Sequence, residues 1–277
     1  KSRKLSALPR PIGPSPIFVG NHFMRFLKTV NTPETPTQKI LEGDFCERIM
    51  DSSKTCSFAK AKRRMRKWKK EGKFTIFQAG TFDLLTINHI LGLINSRVIG
   101  AMNFLGIESI ENEKDCRLVH EIAASDRLRL MITLDSDQRL KKNKSWNFKK
   151  GNCSRPVLSW KTRAAMLAMQ SIPDVDYQKR VNLVDYITKH GSGCCLVCAE
   201  GKCINNNNSR MAVELRPDLL IVNSQSENTL REISDYKKKG RLVSTRVVII
   251  DEKENQYFDK VLNAPVKTTT IINQIRV

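Results

Sequence analysis

The residues best suited to chemistry fall together in Gly80-Thr81-Phe82-Asp83-Leu84-Leu85-Thr86-Ile87-Asn88-His89. Behind a glycine, this stretch holds hydroxyls, a carboxylate and an imidazole. An imidazole at such a place donates a hydrogen bond to charge that develops on a phosphorus centre. Phosphate chemistry also needs N–H groups aimed at the anion, and the flanking sequence offers a way to aim them. Phe74-Thr75-Ile76-Phe77 reads as a buried strand, and Ile90-Leu91-Gly92-Leu93-Ile94 reads as the opening of a helix. A strand, a tight turn and a helix N-terminus present unpaired N–H groups and a positive dipole end to a polyphosphate.

The segment resembles the G-x-F-D-x-x-H/T-x-G-H signature of the cytidylyltransferase-like nucleotidyltransferases. The nearest resemblance is to the heptose-, glycerol- and ethanolamine-phosphate cytidylyltransferases. It implies that Thr86 and His89 contact a triphosphate and that His89 steadies the transition state. Asn88 stands where the family has Gly, so a positive φ is expected there, with the Asn side chain crowding the phosphate. Later segments are similar in the same order: Leu128–Asp137 to the second strand and its turn, and Arg139-Leu140-Lys141 to the basic element after it. Arg155-Pro156 with Arg163 resembles the R-P…E-R helix start, and Asp174-Val175-Asp176 the V-D that closes that helix. Arg216–Val222 resembles the P-D-[LIV]-L-V-K strand, with Val222-Asn223-Ser224-Gln225 replacing Lys-Gly-Gly-Asp. Lys267–Ile272 resembles the S-T-T/S-x-I-I element whose hydroxyls hold the outer phosphates.

The resemblance spans residues 73–277 and implies a three-layer, Rossmann-like α/β domain with a parallel sheet of the nucleotidyltransferase type. Strands are expected near 74–79, 128–134, 194–199, 218–222 and 245–250, with insertions near 98–126 and 177–192. Ligands in such sheets lie at the C-terminal strand ends. The implied nucleotide- and phosphate-binding residues are Gly80, Phe82, Asp83, Lys141, Arg163, Thr268, Thr269 and Thr270. Lys141 and Arg163 would neutralise charge and Asp83 would order the turn, with CTP or ATP as donor and Mg²⁺ bridging the leaving group. Taken singly, His89 fits a core and Thr268–Thr270 an ordinary helix cap; the ordered combination is what points to the fold.

Composition points elsewhere. The 277 residues carry 48 Lys and Arg against 28 Asp and Glu, a formal charge of +20. An enzyme of small metabolites has no need of that excess, whereas a polyanionic partner does. The cations are densest in Lys60-Ala61-Lys62-Arg63-Arg64-Met65-Arg66-Lys67-Trp68-Lys69-Lys70. As a helix, Ala61, Met65 and Trp68 share one face, which would dock on the domain and hold the cations outward. Trp68 is equally suited to stacking on a base, and an anionic membrane would attract the same charge. Lys60, Lys62, Arg63, Arg64, Arg66, Lys67, Trp68, Lys69 and Lys70 are therefore candidate RNA contacts. Further basic clusters recur at Lys141–Lys144, Lys149–Lys150 and Lys237–Arg241.

Residues 1–59 form a proline-punctuated basic arm, with Pro9, Pro11, Pro14, Pro16, Pro33 and Pro36 excluding helix, and 60–73 form the basic helix before the 74–277 domain. No apolar run approaches the ~20 residues needed to span a bilayer. A chain starting at Lys1 and rich in basic residues fits a mitochondrial protein processed after import, otherwise a cytoplasmic one. Of 8 cysteines, Cys195, Cys198 and Cys203 with Cys194 or His190 offer tetrahedral zinc spacing. The same Cys194–Ala199 run reads better as a buried strand, with Cys as a small apolar residue. Cys46, Cys56, Cys116 and Cys153 read as free thiols.

Two functions follow. One is nucleotidyl transfer to a phosphorylated small molecule with release of pyrophosphate. The other is a non-catalytic RNA-binding component of a ribonucleoprotein such as a mitochondrial ribosome, surrounded by RNA and neighbouring proteins. Charge, arm and the departures at Asn88 and Val222–Gln225 make the second the preferred reading, and nucleotidyl transfer, favoured by the retained Thr86 and His89, is its alternative.

Overall fold

A central sheet organises the chain in the computed structural model, which describes residues 54–140, 157–174, 176–190, 208–223, 227–250, 258–259 and 264–265. The chain runs β1 (Thr55–Cys56), α1 (Phe58–Lys70), β2 (Phe74–Gly80), α2 (Ile87–Leu105), α3 (Glu113–Ala123) and β3 (Leu128–Asp135). It continues through α4 (Trp160–Ala168), β4 (Ser171–Pro173), β5 (Arg180–Asn182), β6 (Tyr186–His190) and α5 (Asn208–Leu215). Then follow β7 (Leu219–Asn223), α6 (Glu227–Lys238) and β8 (Arg246–Ile250), with a last hairpin of β9 (Phe258–Asp259) and β10 (Ala264–Pro265).

The main sheet has the order β1-β6-β3-β2-β7-β8, and every neighbouring pair is parallel. From β2 the chain steps outward to β3 and β6, then returns to the other side of β2 for β7 and β8. The reversal falls between β2 and β7, where an open parallel sheet forms a crevice beyond its C-terminal strand ends. Gly80 ends β2 at that point.

Alternation along the strands divides the core. Ile76, Leu130, Ile132, Leu219 and Ile221 face the layer of α2, α3 and α4, packed by Leu93, Ala101, Ile122 and Leu167. Phe77, Met131, Leu220 and Val222 face the layer of α1, α5 and α6, packed by Met65, Trp68, Met211, Leu215 and Ile233. Strands buried on both faces read as continuous apolar runs, which is how β3 and β7 appear in the sequence. At Gly100, helix α2 comes so close to β2 that a Cβ would stand 2.2 Å from Ile76 Cδ1.

The basic helix belongs to the three-layer body. Ser57 caps it by accepting from Lys60 N–H, and Phe58, Ala61, Met65 and Trp68 are buried along one side. Trp68 is 6% exposed and meets Tyr186 edge-on at 5.8 Å, so docking occurs and stacking on a base does not. Beside the same tyrosine, burial is the main reason the Cys56 thiol is pushed up to about 12, so it packs as a neutral group. Among the described residues, Cys56 and Cys116 are free thiols.

The second strand outward from β2 also differs from expectation. It is Tyr186–His190, inside the stretch read as an insertion, while 194–199 lies outside the described residues. Asp185 just before it explains the choice. Its carboxylate accepts from Arg97 Nη1 at 2.9 Å, Arg129 Nη1 at 2.9 Å and Leu130 N–H at 2.8 Å. Arg97 is 0% exposed and also donates to the carbonyls of Ala123, Ser125 and Leu183. Asp218 does the same before β7, accepting from Thr75 N–H, Thr75 Oγ1 and Lys69 Nζ at 2.7 to 2.9 Å. These carboxylates tie the N-terminal ends of the strands together. Residues 98–126 complete α2 and supply α3, whose Val119 and Ile122 enter the core.

Replacing Trp68 with Ala should cost about 3 kcal/mol in urea unfolding, while Arg63→Ala should stay within about 0.5 kcal/mol. Equal effects would contradict the docked orientation of α1.

Candidate functional site

The turn after β2 is held in a conformation that its sequence does not favour. Phe82 has a φ of 45°, which a bulky residue adopts only when its surroundings impose it. Its ring lies over Gly80, where an added Cβ would come within 2.2 Å of the ring. Glycine is required there by this close approach. The ring also packs against the His89 imidazole, with centroids 5.2 Å apart.

Two anchors impose the turn. Asp83, 1% exposed, accepts from the N–H groups of Val157 and Leu158 at 2.8 and 3.1 Å. This carboxylate therefore orders the turn against the segment leading into α4. Arg163 on α4 answers from the other side. It is 0% exposed and donates through Nη1 to Thr81 O at 2.6 Å. Nη2 donates to Asp135 O at 2.7 Å and Asp137 Oδ1 at 2.8 Å, and Nε to Leu158 O at 3.2 Å. The expected role of Arg163 in neutralising phosphate charge is corrected by this geometry: its guanidinium is a buried strut joining the ends of β2 and β3. A group so enclosed acts on a ligand only through what it positions.

Thr86 caps α2, and Thr86 N–H donates to His89 Nδ1 at 3.1 Å, with Thr86 Oγ1 also 3.1 Å from that nitrogen. A ring nitrogen that accepts from a backbone N–H carries no hydrogen, so the neutral imidazole bears its hydrogen on Nε2. His89 is thus oriented as a hydrogen-bond donor at the first turn of α2. Asn88, by contrast, lies within α2 and is absent from the described residues with positive φ. The expected strain at this position is therefore not found. The unusual backbone angle falls on Phe82, six residues earlier.

The site carboxylates are committed elsewhere. Asp135 accepts from Arg139 Nε at 2.8 Å and Thr81 Oγ1 at 3.2 Å, and Asp137 holds Arg163 and Trp160 N–H. Among the described residues no cluster of His, Cys, Asp or Glu is arranged to hold a metal ion. Lys141, Thr268, Thr269, Thr270, Cys195, Cys198 and Cys203 lie outside the described residues.

On α1 the candidate RNA contacts separate into two groups. Lys62 pairs with Glu214 and Lys69 with Asp218, each at 2.9 Å, and the Arg64 guanidinium sits 5.1 Å from the centre of the Tyr186 ring. Lys60, Arg63, Arg66, Lys67 and Lys70 are exposed. The Asp135-Ser136-Asp137 turn contributes more to the site than its sequence suggested, because Asp135 and Asp137 fix the residues around the Gly80–His89 turn. Two acids bracketing a serine directly after an apolar strand were the available signal.

No protein-family model matches the chain, and no match to it is found among curated proteins. Among the described residues no helix is long and apolar enough to cross a membrane.

Arg163→Met keeps the side-chain stem and removes all four hydrogen bonds, so stability should fall by about 3 kcal/mol. Amide exchange should quicken most in residues 81–89. Unchanged melting and exchange would contradict the strut.

Proposed function

We propose that the chain binds a nucleoside triphosphate at the C-terminal edge of β2 and transfers its nucleotidyl group to a phosphorylated small molecule. The observation that carries this reading is the placement of His89 at the start of α2 with Nδ1 accepting from Thr86 N–H, which leaves the hydrogen of a neutral ring to Nε2. In the transfer, an acceptor phosphate oxygen attacks the α-phosphorus. The bond from that phosphorus to the bridging oxygen breaks, and pyrophosphate leaves. Nε2–H of His89 would donate to an oxygen on the reacting phosphorus as charge builds there. The N–H groups opening α2 would hold the neighbouring phosphates. Asp83 and Arg163 would act by positioning, since both are occupied in bracing the turn. The resemblance of the turn to cytidylyltransferases, and the strand order with its reversal beside Gly80, support this reading.

A second reading has its own observation. The exposed cations of α1 and the formal charge of +20 suit a component of an RNA-containing assembly, such as a mitochondrial ribosome, in which the fold would serve without catalysis. The engagement of Lys62, Lys69 and the buried Trp68 within the domain reduces the surface available for that role. The helical setting of Asn88 removes one of its arguments, loss of the phosphate site by backbone strain.

Calorimetry with CTP and ATP, followed by pyrophosphate release with a panel of phosphorylated sugars and alcohols, tests the transfer. His89→Ala should lower turnover by about 10²–10³-fold, the size of losing one donor to a transition-state oxyanion, with little change in nucleotide affinity. Absence of binding by either nucleotide at millimolar concentration would remove the reading.

A further inference from the structure

We infer that the outward face of α1 binds the phosphate backbone of duplex nucleic acid, without reading bases. This rests on the exposed cations of the second reading, gives them a partner of stated form, and does not depend on the transfer reading. The face consists of Lys60, Arg63, Arg66, Lys67 and Lys70, all exposed, at spacings of three and four residues. Such spacings place like charges side by side on a helix, and each such pair works against it. There is no acidic residue in the first turn to complement the helix dipole. Among the described residues, the acid that meets this face is Glu71, 3.7 Å from Lys67 and well exposed. Lys67 and Lys70 in the last turn suit the negative end of the helix dipole, but a solvated helix gains nothing from Lys60, Arg63 and Arg66. A polyanion laid along it turns every one of those repulsions into a site for a phosphate, with release of counterions.

The absence of apolar groups from the outward face narrows the partner. Phe58, Met65 and Trp68 are spent on the core, each 6% exposed or less. No aromatic ring of α1 remains to stack on an unpaired base, the usual device of single-strand binders. No apolar stripe remains to enter a bilayer, the usual device of a helix lying on a membrane. What is left is a row of cations about 15 Å long, set against a duplex that carries a charge about every 1.7 Å of its axis.

The test compares two matched variants of the full chain by anisotropy with a labelled RNA or DNA duplex of about 20 base pairs across a salt series. One variant carries Arg63→Gln, Arg66→Gln and Lys70→Gln. The other removes the same charge from the opposite layer, with Lys114→Gln, Arg117→Gln and Arg127→Gln, all exposed on or just after α3. Unfolding curves check that both remain folded. The α1 variant should weaken binding by about tenfold or more and flatten the log–log salt slope by about two to three, while the α3 variant should do neither. Equal losses in the two would overturn the proposal in favour of diffuse net charge. Absence of duplex binding, or binding to phosphatidylserine vesicles in preference to the duplex, would also overturn it. No nucleoside triphosphate is present, so failure here is separate from failure of the transfer reading.

Discussion

One buried guanidinium holds the C-terminal edge of the sheet in shape. Arg163 reaches the carbonyls of Thr81, Asp135 and Leu158 and the carboxylate of Asp137, joining two strand ends to the start of α4. Burying a charge is tolerable only when its donors are so fully used. The arrangement explains how Phe82 remains at a φ of 45°. With Thr81 pulled from one side and Asp83 bonded from the other, the intervening residue has little choice. The strained Phe82 then packs on Gly80 and on the His89 ring, so the orientation of the imidazole derives from a residue on another helix.

At the N-terminal ends of the strands, two carboxylates gather the donors, among them the buried Arg97. Asp185 and Asp218 each stand one residue before a strand and gather N–H and cationic donors from neighbouring strands and helices. A parallel sheet needs its strands fixed in register at both ends, and buried charge pairs supply direction that apolar packing lacks. Asp218 also takes Lys69 from α1. The basic helix is thereby locked to the sheet by one flank, by its apolar stripe and by the pairing of Lys62 with Glu214. Its remaining cations face outward.

Much of this organisation was legible in the sequence. The apolar runs at β2, β3 and β7 and the spacing of Ala61, Met65 and Trp68 follow directly from periodicity. The stripe alone left open whether Trp68 docks or stacks, because an amphipathic aromatic suits either. The strand at 186–190 was hidden for a different reason. Tyr-Ile-Thr-Lys-His looks less like a core strand than the cysteine-rich run after it, and the partner that anchors it, Arg97, lies 88 residues from Asp185. The type of Arg163 suits phosphate as well as carbonyls, and only its burial and its bonds within the fold distinguish them. At Asn88 the motif suggested a backbone angle by analogy, whereas the helix had already begun with its cap at Thr86.

The proposed transfer requires His89 to act as an Nε2–H donor to a bound triphosphate. Long-range proton–nitrogen NMR of the His89 ring, assigned with His89→Gln, addresses it directly in the intact chain. An unprotonated Nδ1, a hydrogen on Nε2 at neutral pH, and a shift of the Nε2 signal when CTP or ATP is added are the expected results. A ring protonated on Nδ1, or an Nε2 signal indifferent to both nucleotides, would contradict that role.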